Sequence, residues 1–183
     1  MYENAQAVVL TGMPGAGKTT VAELVAANYG ASARLSADAL QGMIRNGAVW
    51  ALGEPASEAR RQVLLSLLNL GMLAKNFAMA GFNPIIDCVL VSLADYNLLC
   101  EHLSPVRVTL IVLAPSASVC SSRNDGREAS ERFDFLGFET LEEHLRKELS
   151  GVGHWIDSEA MTAAETASLV LRHATGGESD IDQ

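Results

Sequence analysis

The stretch VVLTGMPGAGKTTVAEL, residues 8–24, constrains the fold more than any other part of the chain. An apolar run enters a loop of glycines, and Lys-Thr-Thr then opens a helix. A strand feeding a helix through a tight glycine turn belongs to sheets built of alternating strands and helices. That alternation continues to the end of the chain. Strands are predicted over 6–10, 31–37, 83–90, 106–113 and 153–157. The third, NPIIDCVL, is apolar throughout and is expected at the centre of the sheet. A helix over 18–30 ends at Gly30, and a short one, DALQGMIRNG, starts at Asp38. Residues 47–54 read as loop. A long helical region runs from Pro55 to Gly81, with Gly71 a potential break. SLADYNLLCEHL is helical with Ser92 as N-cap, and two further helices are expected over 139–151 and 162–174. Residues 116–138 are mixed and charged.

Length and composition fit this layout. A chain of 183 residues, 49% hydrophobic, has ample material for one core, so residues 1–174 are read as one domain and 175–183 as a frayed tail. The net charge of −9 disfavours a nucleic-acid partner, which normally demands a basic stripe, yet leaves room for a local cationic cluster that holds a small anion. The N-terminus lacks a basic region followed by an apolar core, so no secretory signal is expected. The most apolar stretch, VLLSLLNLGML, has 11 residues. That falls short of the roughly 20 needed to cross a bilayer. Cys88, Cys100 and Cys120 show no C-x-x-C spacing and read as buried reduced thiols. Together these features predict a cytoplasmic protein with no membrane span.

Residues 12–19, Gly-Met-Pro-Gly-Ala-Gly-Lys-Thr, satisfy G-x-x-x-x-G-K-[ST], the Walker A pattern, at every fixed position. Gly12, Gly15 and Gly17 let the backbone curl so that N–H groups point at phosphate oxygens, with Met13, Pro14 and Ala16 completing the loop. Lys18 is expected to reach the β- and γ-phosphates, and the hydroxyl of Thr19 to ligate Mg²⁺. Thr20 follows in the first turn, where the helix dipole adds its positive end. A dinucleotide loop has different glycine spacing and no use for Lys-Thr. The loop is therefore read as binding a nucleoside triphosphate.

The remainder of the chain selects among P-loop proteins. GTPases need an N-K-x-D string, and the nearest one, NDGR at 124–127, lacks the lysine. CSSRNDGREASERF, 120–133, carries Arg123, Arg127 and Arg132. Cationic donors there suit the charge that develops in phosphoryl transfer, and a lid closing over the nucleotide excludes water. If the segment is helical, Arg123 and Arg127 stand at i, i+4 on one face. The alternative is a solvated charged loop, with Asp125, Glu128 and Glu131 interleaved.

The chain resembles small P-loop kinases of the nucleotide-kinase type, particularly small-molecule phosphotransferases such as chloramphenicol phosphotransferase, gluconate kinase and shikimate kinase. The likeness is carried by GMPGAGKTT, LSADAL, GFNPIIDCVL, SSRNDGR and GHWIDSEAMTAAETA, in that order. It implies an α/β P-loop NTPase fold: a five-stranded parallel sheet in order 2-3-1-4-5, helices on both faces and an Arg-bearing lid at about 120–138. It also implies ATP and Mg²⁺. Asp38 stands where such kinases hold the carboxylate that faces the acceptor hydroxyl. Asp38 can take the hydroxyl proton, or simply cap the following helix, a job Ser36 can also do. Asp87, ending an apolar strand, can hold Mg²⁺ through water or grip the acceptor.

The acceptor segment extends from Asp38 to about Arg61. Arg45, seven residues past Asp38, would lie two turns along the same helical face and grip an anionic acceptor. Trp50 offers an apolar wall; Arg60 and Arg61 are further candidates, although exposed surface positions suit them better. Many relatives carry Arg one turn after the strand-two Asp, where this chain has Gln41 and Gly42. His102, His144, His154 and His173 show no ligand spacing. The leading expectation is an ATP-dependent kinase acting on a hydroxyl of a small molecule, such as an antibiotic or another metabolite. Two alternatives stand beside it: an ATP-binding regulatory or resistance protein with slow hydrolysis, and a nucleoside or polynucleotide kinase.

Overall fold

The computed structural model describes residues 5–128, 132, 135 and 137–176. Its strands are β1 (Gln6–Gly12), β2 (Ser32–Ser36), β3 (Asn83–Asp87), β4 (Arg107–Leu113) and β5 (His154–Ile156). They form one sheet in the order β2-β3-β1-β4-β5, and every pairing is parallel. This is an α/β P-loop NTPase fold. In β1, Ala7, Val8, Val9 and Leu10 are all fully buried, because a central parallel strand is covered on both faces. The apolar run of the sequence reflects that double coverage.

The helices are α1 (Lys18–Ala27), α2 (Ala37–Gln41), α3 (Ala56–Met79), α4 (Leu93–Leu103), α5 (Ala117–Asp125), α6 (Phe138–Glu148) and α7 (Ala163–Ala174). α1 packs with α7 and α3 with α4, so helices cover both faces of the sheet. Ser92 caps α4, its hydroxyl accepting from the Asp95 N–H at 3.2 Å. Thr162 and Glu165 form a reciprocal capping box at the start of α7.

Several helices depart from expectation in their limits or continuity. α1 stops at Ala27, three residues before Gly30, where the Asn28 side chain donates to the Leu24 carbonyl at 2.7 Å and Ser32 Oγ to that of Ala26 at 2.8 Å. α2 ends at Gln41 rather than continuing to residue 47, and tight turns from Leu40 to Met43 and Gln41 to Ile44 replace its next turn. α3 runs unbroken through Gly71. A Cβ at residue 71 would lie 2.6 Å from His102 Cβ and 3.1 Å from the Leu99 carbonyl, so this glycine lets α3 approach α4 closely.

On length and hydropathy alone α3, at 24 residues, is long and apolar enough to cross a membrane, beyond the 11-residue stretch at its centre. It is a packed helix: Leu67, Leu70, Gly71, Ala74 and Ala78 are buried on the side that meets α4 and β3.

Candidate active site

The register of the sheet brings the candidate residues together. Asp87, the last residue of β3, pairs with Leu10 of β1 on one side and Ser36 of β2 on the other. Two residues beyond Leu10 the glycine loop begins, and two residues beyond Ser36 stands Asp38. All three segments therefore leave the sheet at its carboxyl edge, where doubly wound sheets take their ligands.

The loop owes its shape to close backbone contacts. Gly12 has φ +141°, and a Cβ there would fall 2.3 Å from the Leu113 carbonyl oxygen of β4. At Gly15, with φ +82°, a Cβ would fall 2.4 Å from the Cys120 carbonyl oxygen of α5. Both positions require glycine for conformation and for space. Gly17, φ 91°, is the N-cap of α1, and open space surrounds the place of its missing side chain. Met13 and Ala16 are buried, anchoring the loop from beneath, while Pro14 is half-buried and Thr20 is exposed.

Lys18 Nζ donates to the carbonyls of Gly12 at 3.1 Å and Met13 at 2.9 Å, so the ammonium arches over the loop. Burial pulls its pKa below the ordinary lysine value, and the carboxylates of Asp87 and Asp38 oppose that shift. Thr19 Oγ1 donates to Asp87 Oδ2 at 2.7 Å, although 68 residues separate them. Asp87 itself is only 5% exposed. A hydroxyl and a carboxylate side by side are the hard oxygen donors that Mg²⁺ takes, usually with waters and phosphate oxygens completing its shell. The residues present fit that ion.

Asp38 is exposed and is the second residue of α2. Ser36 occupies the N-cap position, so the capping alternative for Asp38 does not hold. Arg45 lies in the loop beyond α2 and is exposed; because α2 ends at Gln41, it does not share a helical face with Asp38. Arg60 and Arg61 have carboxylate partners. Arg60 donates through Nη1 and Nη2 to Asp95, at 3.2 and 2.5 Å, and Arg61 binds Glu58 at 2.8 and 2.7 Å.

Among the described residues of the charged segment after β4, α5 is the helical part. Gly126 ends it, so Arg127 falls just beyond the helix and the i, i+4 arrangement with Arg123 does not form. Arg123 is exposed, its Nη2 lying 3.5 Å from the Ser158 carbonyl, while Arg127 is half-buried and its own carbonyl accepts from Arg132 Nη2 at 3.3 Å. Of the predicted lid, residues 129–131, 133–134 and 136 lie outside the described residues, as do 177–183 of the tail.

Two features escaped the sequence. Gln62 is 2% exposed, donates to the Gly47 carbonyl at 2.7 Å and accepts from the Val49 N–H at 2.8 Å, pinning the loop between α2 and α3. A polar residue on the buried stripe of α3, with Ser66 and Leu70 at the same helical spacing, was its only signal. Second, the N-terminal N–H groups of α5 are satisfied from afar, Ala117 by Glu142 of α6 at 2.9 Å and Ser116 by Glu159 at 3.2 Å. Negative charge at a helix start complements its dipole, but long-range caps leave no local motif.

No curated protein sequence matches the chain. Among solved structures it is similar to a gluconokinase from Sinorhizobium meliloti 1021 (20% identity, 93% of this chain and 92% of that one, TM-score 0.65). It is similar also to shikimate kinase from Acinetobacter baumannii in complex with shikimate (18%, 97% of each chain, TM-score 0.63). A third is the Mycobacterium tuberculosis APS kinase CysC in complex with AMPPNP and APS (18%, 91% and 95%, TM-score 0.63). At these identities the likeness is one of fold, and the fold is that of P-loop small-molecule kinases. The family profile of the AAA domain matches residues 8–149, and with the glycine loop, Lys18, Thr19 and Asp87 assembled at the sheet edge, the chain belongs to that AAA domain family.

Proposed function

We propose that the chain is an ATP-dependent kinase that transfers the γ-phosphate of Mg·ATP to a hydroxyl group of a small molecule. The observation that carries the reading is the convergence at one sheet edge of a P-loop lysine, the Thr19–Asp87 oxygen pair and the exposed carboxylate of Asp38. The loop from Gly12 to Thr19 presents N–H groups to the phosphates, and Lys18 swings from its carbonyl partners onto the β- and γ-oxygens. Thr19 and Asp87 would hold Mg²⁺, which when bound would neutralise phosphate charge. Asp38 orients the acceptor hydroxyl and takes its proton. Arg123 and Arg127 supply cationic donors to the transferred group. The supporting likenesses include kinases of gluconate and shikimate and a relative solved with AMPPNP.

The test is phosphate transfer from γ-labelled ATP, with Mg²⁺, into a library of hydroxyl compounds read by mass spectrometry. Lys18→Ala should abolish transfer. Asp38→Asn should leave the affinity for ATP intact and lower kcat by about 10²-fold or more, the scale of a positioned base. ATP hydrolysis with no phosphorylated product, unchanged in Asp38→Asn, would refute the reading and favour a nucleotide-binding regulator.

A further inference from the structure

The cations of the acceptor segment, residues 38–61, are Arg45, Arg60 and Arg61. Two of them already have carboxylates. Arg60 grips Asp95, which is 1% exposed, with both terminal nitrogens, and Arg61 forks onto Glu58. Within this segment an anionic acceptor would have to break these pairs or use Arg45, and Asp38, Glu54 and Glu58 of the same segment would repel it.

Meanwhile the loop between α2 and α3 is tied down from both sides. Gln62 holds the Gly47 carbonyl and the Val49 N–H, and Gln41 Nε2 donates to the Val49 carbonyl at 3.1 Å. Met43, Trp50 and Leu52 project from this anchored loop into solvent, at 70, 46 and 62% exposure. Single exposed apolar residues are ordinary on a surface. Three within ten residues are different: they sit on a loop that Gln41 of α2 fastens, through the Val49 carbonyl, to the helix that bears Asp38.

Resting on the kinase reading above, we propose that the acceptor is an uncharged, largely apolar alcohol, an aryl or alkyl carbinol, held against Met43, Trp50 and Leu52 with its hydroxyl at Asp38. Sugar acids and carboxylated or phosphorylated metabolites are then poor acceptors. In the reaction the carbinol oxygen forms a bond to the γ-phosphorus, the bond from that phosphorus to the β,γ-bridging oxygen breaks, and ADP leaves. The carbinol proton passes to Asp38.

The experiment uses the full chain carrying Trp155→Phe. This keeps an aromatic ring beneath Arg146 and leaves Trp50 the only indole of the two in the chain. With Mg·ATP binding measured first by calorimetry, the probes are 3-phenyl-1-propanol and 1-octanol against gluconate and shikimate, scored by Trp50 emission and by phosphotransfer. The expected result is a blue shift of Trp50 and phosphorylation with the neutral alcohols. Met43→Ser with Leu52→Ser should raise their KM tenfold or more and move the KM for ATP less than twofold. Phosphorylation of gluconate or shikimate in preference, sensitive to Arg45→Ala and indifferent to Met43→Ser with Leu52→Ser, overturns the proposal and leaves the kinase reading standing. Mg·ATP binding with no response to either alcohol also overturns it. Failure to bind Mg·ATP brings down the kinase reading itself.

Discussion

Thr19 and Asp87 share a 2.7 Å hydrogen bond between the first turn of α1 and the end of β3. Asp87 is buried at the end of a paired strand, and Thr19 sits in the first turn of the helix that begins one residue earlier. If this pair holds Mg²⁺, Asp87→Asn and Thr19→Ala should each raise the Mg²⁺ concentration for half-maximal phosphotransfer by about 10- to 100-fold, the usual scale for ligands and their supporting groups. Thr19→Ser should stay near the parent. A magnesium titration at saturating ATP checks this.

The loop depends on Gly15 in two ways. Its φ of +82° disfavours any side chain, and a Cβ would meet the backbone carbonyl of Cys120 at 2.4 Å. Gly15→Ala should cost more than about 2 kcal/mol, combining left-handed strain with a displaced α5. Chemical denaturation measures the loss, and ATP affinity should fall with it because the loop and α5 shift apart.

Gly71 tests the opposite intuition. In an exposed helix interior, Gly→Ala gains about 1 kcal/mol of stability. Here the added methyl would press on His102 Cβ and the Leu99 carbonyl, neither of which is the free end of a flexible chain. Gly71→Ala should therefore destabilise by about 1–3 kcal/mol, the range for overpacking. A gain in Tm would show that α3 and α4 part without penalty.

Burial pushes the Cys88 thiol up to about 12 and the Cys120 thiol up to about 11, from an ordinary value near 9. Both thiols stay protonated at neutral pH, and native protein should alkylate at these positions far more slowly than unfolded protein. Linkage fixes the sign at high pH. Below about pH 9 the thiols are protonated in folded and unfolded chains alike; above it the unfolded chain releases protons that the folded chain retains. Stability should accordingly fall as pH rises from 9 towards 11 and 12. Cys88→Ala should flatten part of that slope in denaturation midpoints measured across the range.

Local chemistry made much of the molecule legible from the sequence. The glycine loop with Lys18 and Thr19, the alternation of strands and helices, and the Ser92 cap depend on residues close together in the chain, where conformation and spacing suffice to identify them. The resemblance supplied the strand order, which the sheet adopts. Inference from spacing failed where a helix had to continue, at Arg45 beyond α2 and Arg127 beyond α5, because the ends of both helices are set by glycines and turn hydrogen bonds rather than by side-chain periodicity.

What the sequence by itself determined is that a phosphate-holding loop stands between a strand and a helix of a parallel sheet. Tertiary structure alone decided which distant groups meet that loop. Strand register sets Asp87 between Leu10 and Ser36, which brings Thr19 onto Asp87 and directs Asp38 to the same edge. Packing of α3 against α4 joins Arg60 to Asp95, and Gln62 secures a loop fifteen residues away in sequence. Such pairings are selected by the free energy of burying whole faces against one another, a property of the assembled layers that no local stretch encodes.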